Sequence, residues 1–308
     1  MTSVGIHHVT AGATSARGNV RFYTKELGLR LVKRTVNFDD PTTWHLYYGD
    51  ATGQPGSVLT FFPWEGMPRG RHGTGQAEEI GFAVPKGSIA WWAERLSARN
   101  IQHDLPKKRF DESFIALKDP DGMLIEIVGT DWAGALPGHD NGDIPPEHAV
   151  RGFSGVSLWL ADTEATAAVL TDVLGFKPAG EADGRQRFVA GDGGLGAVVD
   201  LRRVDWQRGA FAGGIVHHVA FRAEDDAAQE EMAKSLRSKG IGTTEQKDRN
   251  YFRSVYFREP GGVLFEIATD DPGFAIDEPV ESLGQELRLP EWLEPKRQQI
   301  AAALPPLE

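Results

Sequence analysis

The sequence predicts an α+β fold of four tandem β-α-β-β-β modules, forming two domains whose sheets curl into cups. Three observations predict it. The stretches 78–127 and 217–267 answer each other, EEIGFAV with HHVAFRA and LKDPDGMLIEI with FREPGGVLFEI. Phe82 thereby matches Phe221, Pro120 matches Pro260, Gly122 matches Gly262 and Glu126 matches Glu266, at an offset of 139–140 residues. A second pair, VTAGATSARGNVRFYTKELGL from Val9 and VSLWLADTEATAAVLTDVLGF from Val156, repeats at an offset of 147. Finally, every stretch has the same grammar of apolar strand, amphipathic helix and short strands, which is the signature of a repeat architecture.

The modules span roughly 4–64, 76–131, 151–204 and 214–270. Their first strands are read at Ile6–Thr10, Ile80–Val84, Val156–Leu160 and Ile215–Phe221. Helices follow polar starts at Thr14, Asp162 and Glu224, with Val20, Tyr23 and Leu27 at helical spacing. The turns Asp119-Pro120-Asp121-Gly122 and Glu259-Pro260-Gly261-Gly262 close the last hairpins of modules two and four. The Pro-, Gly- and Asp-rich stretch before Arg151 reads as a linker. The predicted domains are therefore 1–135 and 151–274, with a linker at 136–150 and a tail at 275–308. In that tail only Glu291 to Ala303 has helical character, and its expected role is packing rather than a lid. Phe61-Phe62-Pro63-Trp64 is expected to be buried between modules, one of Trp91-Trp92 to be core, and Lys107-Lys108-Arg109 to be surface. The helix QEEMAKSLRSK reads as mostly solvated.

Composition narrows the function. The 308 residues carry 33 Lys+Arg against 44 Asp+Glu, a net charge of −11. That argues against a nucleic-acid partner or an anionic membrane surface, which both demand clustered cations. With no cysteine, disulfide scaffolds, thiolate zinc sites and cysteine nucleophiles are excluded. Neither a secretion signal nor an apolar run of about 18 residues is seen, so a soluble, cytoplasmic protein is expected. Base rates predict a homo-oligomer.

Four of the nine histidines fall in two identical dipeptides, His7-His8 and His217-His218, each in the first strand of a module. Glu266 lies between Phe265 and Ile267 in the last strand of module four. An ionised carboxylate buried alone on an apolar strand is costly. A divalent metal offsets that cost, and neutral imidazoles are its natural companions. Strand alternation turns one ring of each dipeptide to the cavity and the other to the opposite face or an edge. It also predicts Ser254 opposite Glu266, with Tyr256 sharing its face. Two histidines and one carboxylate with open positions suit a non-haem Fe(II) oxygenase, whereas zinc on the same ligands would make a hydrolase-like site. Both stay open at this level.

Matched positions constrain the assembly. The first-strand position holds His8, Glu79, Gly155 and His218 in modules one to four, and the last-strand position holds Thr60, Glu126, Asp200 and Glu266. A site with two histidines and one glutamate therefore needs modules one and four to share a cup. Modules two and three form the other, whose all-carboxylate set reads as structural or solvated. His45, His72, His103, His139 and His148 lack this context and read as surface or loop residues.

Tandem modules with these residues resemble the vicinal oxygen chelate superfamily, which includes glyoxalase I and the extradiol dioxygenases. GIHHVT, GIVHHVAF, DRNYFRSVYFREPGGVLFEIATDDPGF and the ending LRLPEWLEPKRQQIAAALPPLE resemble ring-cleaving dioxygenases acting on hydroquinones, over nearly the whole chain. The resemblance implies Fe(II) held by His8, His218 and Glu266. It further implies active-site roles for His7, His217, Arg249 and Tyr256, with Thr10 nearby for substrate. Catechol extradiol dioxygenases place their first histidine in module three, where this chain has Gly155; glyoxalase I needs two module glutamates, where module one offers Thr60. Both departures favour the hydroquinone branch.

The implied reaction inserts both atoms of O2 into an aromatic ring next to a hydroxyl, so the partners are a small aromatic diol and O2. A para-diol cannot chelate one metal through both oxygens, so protein groups must manage its far hydroxyl. His217 is expected as general acid/base, Tyr256 as a hydrogen-bond donor to the reacting oxygen, and Arg249 as a stabiliser of developing negative charge. The alternatives on the same scaffold are a catechol-type extradiol dioxygenase, a divalent-metal isomerase or lyase, and a small-molecule-binding protein.

Overall fold

The computed structural model describes residues 5–307. Module one runs β1 (Ile6–Ala13), α1 (Ala16–Arg21), β2 (Arg30–Asn37), β3 (Asp40–Gly49) and β4 (Val58–Pro63). Module two runs β5 (Gln76–Pro85), α2 (Ile89–Ala98), β6 (Lys107–Arg109), β7 (Glu112–Lys118) and β8 (Leu124–Thr130). Module three is β9 (Gly152–Leu160), α3 (Glu164–Asp172), β10 (Lys177–Ala182), β11 (Arg185–Val189) and β12 (Val198–Arg203). Module four is β13 (Val216–Ala223), α4 (Asp226–Ser238), β14 (Lys247–Asp248), β15 (Phe252–Arg258) and β16 (Leu264–Pro272). The grammar read from the sequence is thus realised four times. Helix starts lie close to the polar signals: the side chains of Ser15 and Asp225 accept from the backbone of Gly18 and Ala228, satisfying first-turn N–H groups.

The strands form two eight-stranded sheets of the same plan, β14-β15-β16-β13-β1-β4-β3-β2 and β10-β11-β12-β9-β5-β8-β7-β6. In each, two first strands meet antiparallel at the centre and each is flanked by its own module's last strand in parallel. Modules one and four therefore share one cup, and modules two and three the other. Helices cover the outer faces with their apolar stripes. Trp92 and Leu96 of α2 are buried, and in α4 so are Ala228, Gln229, Met232, Ala233 and Leu236, while its opposite face meets water. Each large apolar side chain so buried contributes about 1.5–3 kcal/mol.

Two polar ties join consecutive modules. Asp119 accepts from the backbone of Asp121 and Met123, closing its turn, and from Tyr23 Oη at 3.0 Å. Its counterpart Glu259 does the same with Gly261, Val263 and the Thr166 hydroxyl. The tail packs, as expected: Leu289, Leu293 and Ile300 cluster with Val36, and Trp44 Nε1 donates to the Pro305 carbonyl at 2.8 Å. Lys33, buried in β2, donates to tail groups Asp277 and Glu278, so each buried charge there has a partner.

Candidate active site

Two β-bulges build the site. Along the central seam of the first sheet, Ile6 pairs with Phe221 and His8 with Ala220, so His7 is an extra residue in β1. Thr10 then pairs with His218 and Ala11 with Val216, so His217 is the extra residue in β13. A bulge suspends the alternation of faces. That corrects the expectation from strict period two: His217 and His218 both line the same cavity. In each dipeptide the two rings meet, Nδ1 to Nδ1, at 2.9 Å for His7–His8 and 2.7 Å for His217–His218.

Those contacts aim the opposite edge of each ring. The Nε2 atoms of His8 and His218 lie 3.4 Å apart and face Glu266 Oε2 at 3.4 and 2.9 Å. The three ligand atoms lie within 4.8 Å of one another, and all three residues are buried. Ser254 Oγ donates to Glu266 Oε1, while Oε2 makes no aligned hydrogen bond. Burial would raise the Glu266 carboxyl, but His8 and His218 beside it hold it well below the usual carboxylate range. Burial also lowers His7 and His218, keeping imidazoles neutral. A carboxylate oxygen without a hydrogen-bond partner, facing two imidazole nitrogens, is a donor set that fits a divalent metal. For His8 and His218 to offer Nε2 lone pairs, their Nδ1 atoms must carry the protons and donate to His7 and His217. That is how metal-ligating histidines are oriented.

The position in module three could not substitute for His8. A Cβ on Gly155 would lie 2.6 Å from the Val198 carbonyl oxygen, so β12 leaves no room for a side chain.

The cluster opens onto a cavity of about 220 Å³ walled by Phe62, Trp64, Phe252, Tyr47 and Phe38. Phe61 is core, but Phe62 and Trp64 line this cavity rather than being buried between modules. Tyr256, not Ser254, sits directly opposite Glu266, and Ser254 pairs with Ala268, because the hairpin turns about Gly261 rather than Pro260, with Arg258 opposite Leu264. Arg249, which alternation could not place, donates from Nε to Tyr256 Oη at 3.3 Å and faces Asp39 at 3.5 Å. Thr10 lines the cavity and shares a hydrogen bond of 2.8 Å with Thr60. His7 lies behind His8 against Phe252 and is outside the cavity lining.

Sequence reasoning missed His45. It lies on β3, lines the cavity, stacks against Phe62 and Tyr47, and uses both ring nitrogens. Its signal was available in the repeat: Tyr47 pairs with Thr60 as Arg187 pairs with Asp200, so His45 is the counterpart of Arg185, a cup-facing position.

The model of the Glyoxalase/Bleomycin resistance protein/Dioxygenase superfamily matches residues 5–127 and 152–267. The chain belongs to that superfamily. It is 43% identical over 307 residues to the suggested ring-cleaving dioxygenase MhqO of Bacillus subtilis, covering 99% of this chain and 97% of MhqO. It is 35% identical over 299 residues to the chlorohydroquinone/hydroquinone 1,2-dioxygenase of Sphingobium indicum, covering 94% and 92% of the two chains. Among solved structures, a suggested dioxygenase from Bacillus subtilis superposes with a TM-score of 0.94 at 42% identity, covering 100% of this chain and 98% of that one. Maize glyoxalase I, at 14% identity and a TM-score of 0.63 over 86% of this chain and 92% of its own, shares the fold.

Proposed function

We propose that this chain is an Fe(II)-dependent ring-cleaving dioxygenase that opens hydroquinone-type para-diols with O2. The observation that carries this reading is the cluster of His8, His218 and Glu266 opening onto an aromatic-walled cavity. Its full-length similarity to a chlorohydroquinone/hydroquinone 1,2-dioxygenase supports the substrate class. Bound by those three residues, Fe(II) would supply the centre at which a diol oxygen and O2 are held side by side, removing the entropic cost of their encounter.

The protein's own groups do the rest. Phe62, Trp64 and Phe252 pack the ring and exclude water, which strengthens every polar interaction inside. His217 spends Nδ1 on His218, so Nε2 is the atom at which it holds or hands over a proton. Tyr256 donates to oxygen at the ring carbon under attack, and Arg249, hydrogen-bonded to Tyr256, offsets negative charge as it develops. His7 fixes the orientation of His8 from behind.

Oxygen uptake by protein loaded anaerobically with Fe(II) tests the reading, with methylhydroquinone, hydroquinone and catechol compared side by side. Uptake with the hydroquinones, together with a ring-opened chromophore, is expected. Uptake with catechol alone would keep the reaction and overturn the substrate, and proton transfer without uptake would move the chain to the isomerases.

A further inference from the structure

The cavity wall opposite Glu266 contains an unbranched chain of hydrogen bonds. Tyr47 Oη meets His45 Nδ1 at 2.9 Å, His45 Nε2 meets Thr60 Oγ1 at 2.9 Å, and Thr60 Oγ1 meets Thr10 Oγ1 at 2.8 Å. Three of its four members lie on one line across the sheet, because Tyr47 pairs with Thr60 and Thr60 with Thr10, which in turn pairs with the metal-facing His218. Thr10 and Thr60 are fully buried and Tyr47 is 1% exposed, so bulk solvent does not reach these groups.

The chain has a direction. Tyr47 Oη has no other hydrogen-bond partner among the described residues, and a buried phenol O–H left without an acceptor is costly. Tyr47 therefore donates to Nδ1, which must carry the lone pair. A neutral imidazole then bears its proton on Nε2 and donates to Thr60. Burial, with His8 and His218 nearby, keeps His45 neutral. Thr60, already accepting from His45, donates to Thr10, and the one proton left at the end of the chain is that of the Thr10 hydroxyl, in the cavity.

We propose that His45 is a positioning residue that polarises this chain so that Thr10 serves as a hydrogen-bond donor to the oxygen of substrate held beside His218. The inference rests on the dioxygenase reading for what Thr10 meets, but not for the chain itself. The matched positions in the other cup support a cup-facing role. There Arg185 donates to Ser157, the counterpart of Thr10, so the same site delivers a donor across the sheet in both halves.

Two measurements test it. Nitrogen-15 NMR of the metal-free protein reads the tautomer directly: His45 is expected with Nε2 protonated and Nδ1 bare, and the Nδ1–H form or an imidazolium would overturn the proposal. In the iron-loaded enzyme, Tyr47→Phe and His45→Phe are each expected to lower kcat about tenfold with iron content unchanged. The double variant Thr10→Val/His45→Phe should be no slower than Thr10→Val alone, because both act through one hydroxyl. Additive losses, or a loss confined to KM, would overturn it. If wild-type enzyme consumes no O2 with any diol, the dioxygenase reading fails while the NMR result still decides the chain.

Discussion

The two cups share one topology and differ in how they answer buried carboxylates. In the cup of modules two and three every carboxylate has a guanidinium. Arg109 forks onto Glu126, Arg185 onto Glu79, and Arg187 onto Asp200 with Glu112 as well. The space left there is about 20 Å³, against about 220 Å³ in the other cup. In the cup of modules one and four, Glu266 is fully buried and meets Ser254 and the imidazoles of His8 and His218. One cup carries its own countercharges; in the other, Glu266 has no guanidinium or ammonium in ion-pair reach among the described residues. A buried charge must be paired either way. The contrast teaches that matched glutamates, Glu126 and Glu266, differ in what answers their charge.

The largest effect should come from removing the carboxylate that lacks a guanidinium. Glu266→Gln is expected to lower metal affinity by at least about a hundredfold and to abolish oxygen uptake with every diol, while the protein still folds. Metal content after loading and gel filtration checks it. Retention of a full equivalent of iron would break the comparison, since the open cup would then not need its carboxylate.

The cup of modules two and three should respond in stability instead. Arg109 and Glu126 are 7% exposed each, so Arg109→Ala leaves a buried carboxylate with only the longer Arg185 contact at 3.9 Å and is expected to cost up to about 3–5 kcal/mol of unfolding free energy. Turnover per folded molecule should hold. Denaturant melts of wild type and variant, read beside kcat, separate the two cups.

The hairpin ties offer a pH test of the same contrast. Burial, with Asp121 adding to it, pushes the Asp119 carboxyl up to about 6 from an ordinary 3.8. An acid whose folded pKa is raised binds its proton more tightly when folded, so its contribution to stability is greatest below pH 3.8 and declines as pH rises to about 6. The penalty is then complete, on the order of 3 kcal/mol. Asp119→Asn removes it. In metal-free protein the variant should therefore gain up to about that amount relative to wild type between pH 4 and pH 7. Parallel stability curves would show that the turn carboxylate is ionised throughout.

These contrasts mark what a single sequence can carry. The modules were legible because the Pro-Gly turns and the flanking Phe and Glu residues recur at one offset. The pairing of modules one and four was legible because only it brings both histidine dipeptides to Glu266, while the choice of His8 and His218 within those dipeptides rested on the resemblance. The bulges at His7 and His217 were not, since a bulge is a property of two strands meeting and neither strand records it alone. Arg109 read as surface and is buried, because its partner Glu126 lies across the β6–β7–β8 hairpin pair. His45 read as a loop residue because its partners Thr60 and Tyr47 become neighbours only through the β3–β4 register.

The most informative small effect lies at one substitution between the cups. Arg109 and Arg249 occupy matched positions, 140 residues apart like Glu126 and Glu266. Arg109 reaches its glutamate because the residue opposite Glu126 is Ala116. The residue opposite Glu266 is Tyr256, and Arg249 bonds to its hydroxyl instead. The tyrosine thus acts as a wedge that keeps a guanidinium off Glu266. Tyr256→Phe keeps the ring and should retain metal affinity while slowing turnover about tenfold through the lost donor. Tyr256→Ala opens the path, and Arg249 should then compete with the metal for Glu266, weakening metal binding by about a further tenfold, the worth of a charge-assisted hydrogen bond. Adding Arg249→Ala to Tyr256→Ala should restore the metal affinity, which loss of a merely structural ring would not do. Equal metal affinity in the Phe and Ala variants would leave the open cup to be explained by its histidines alone.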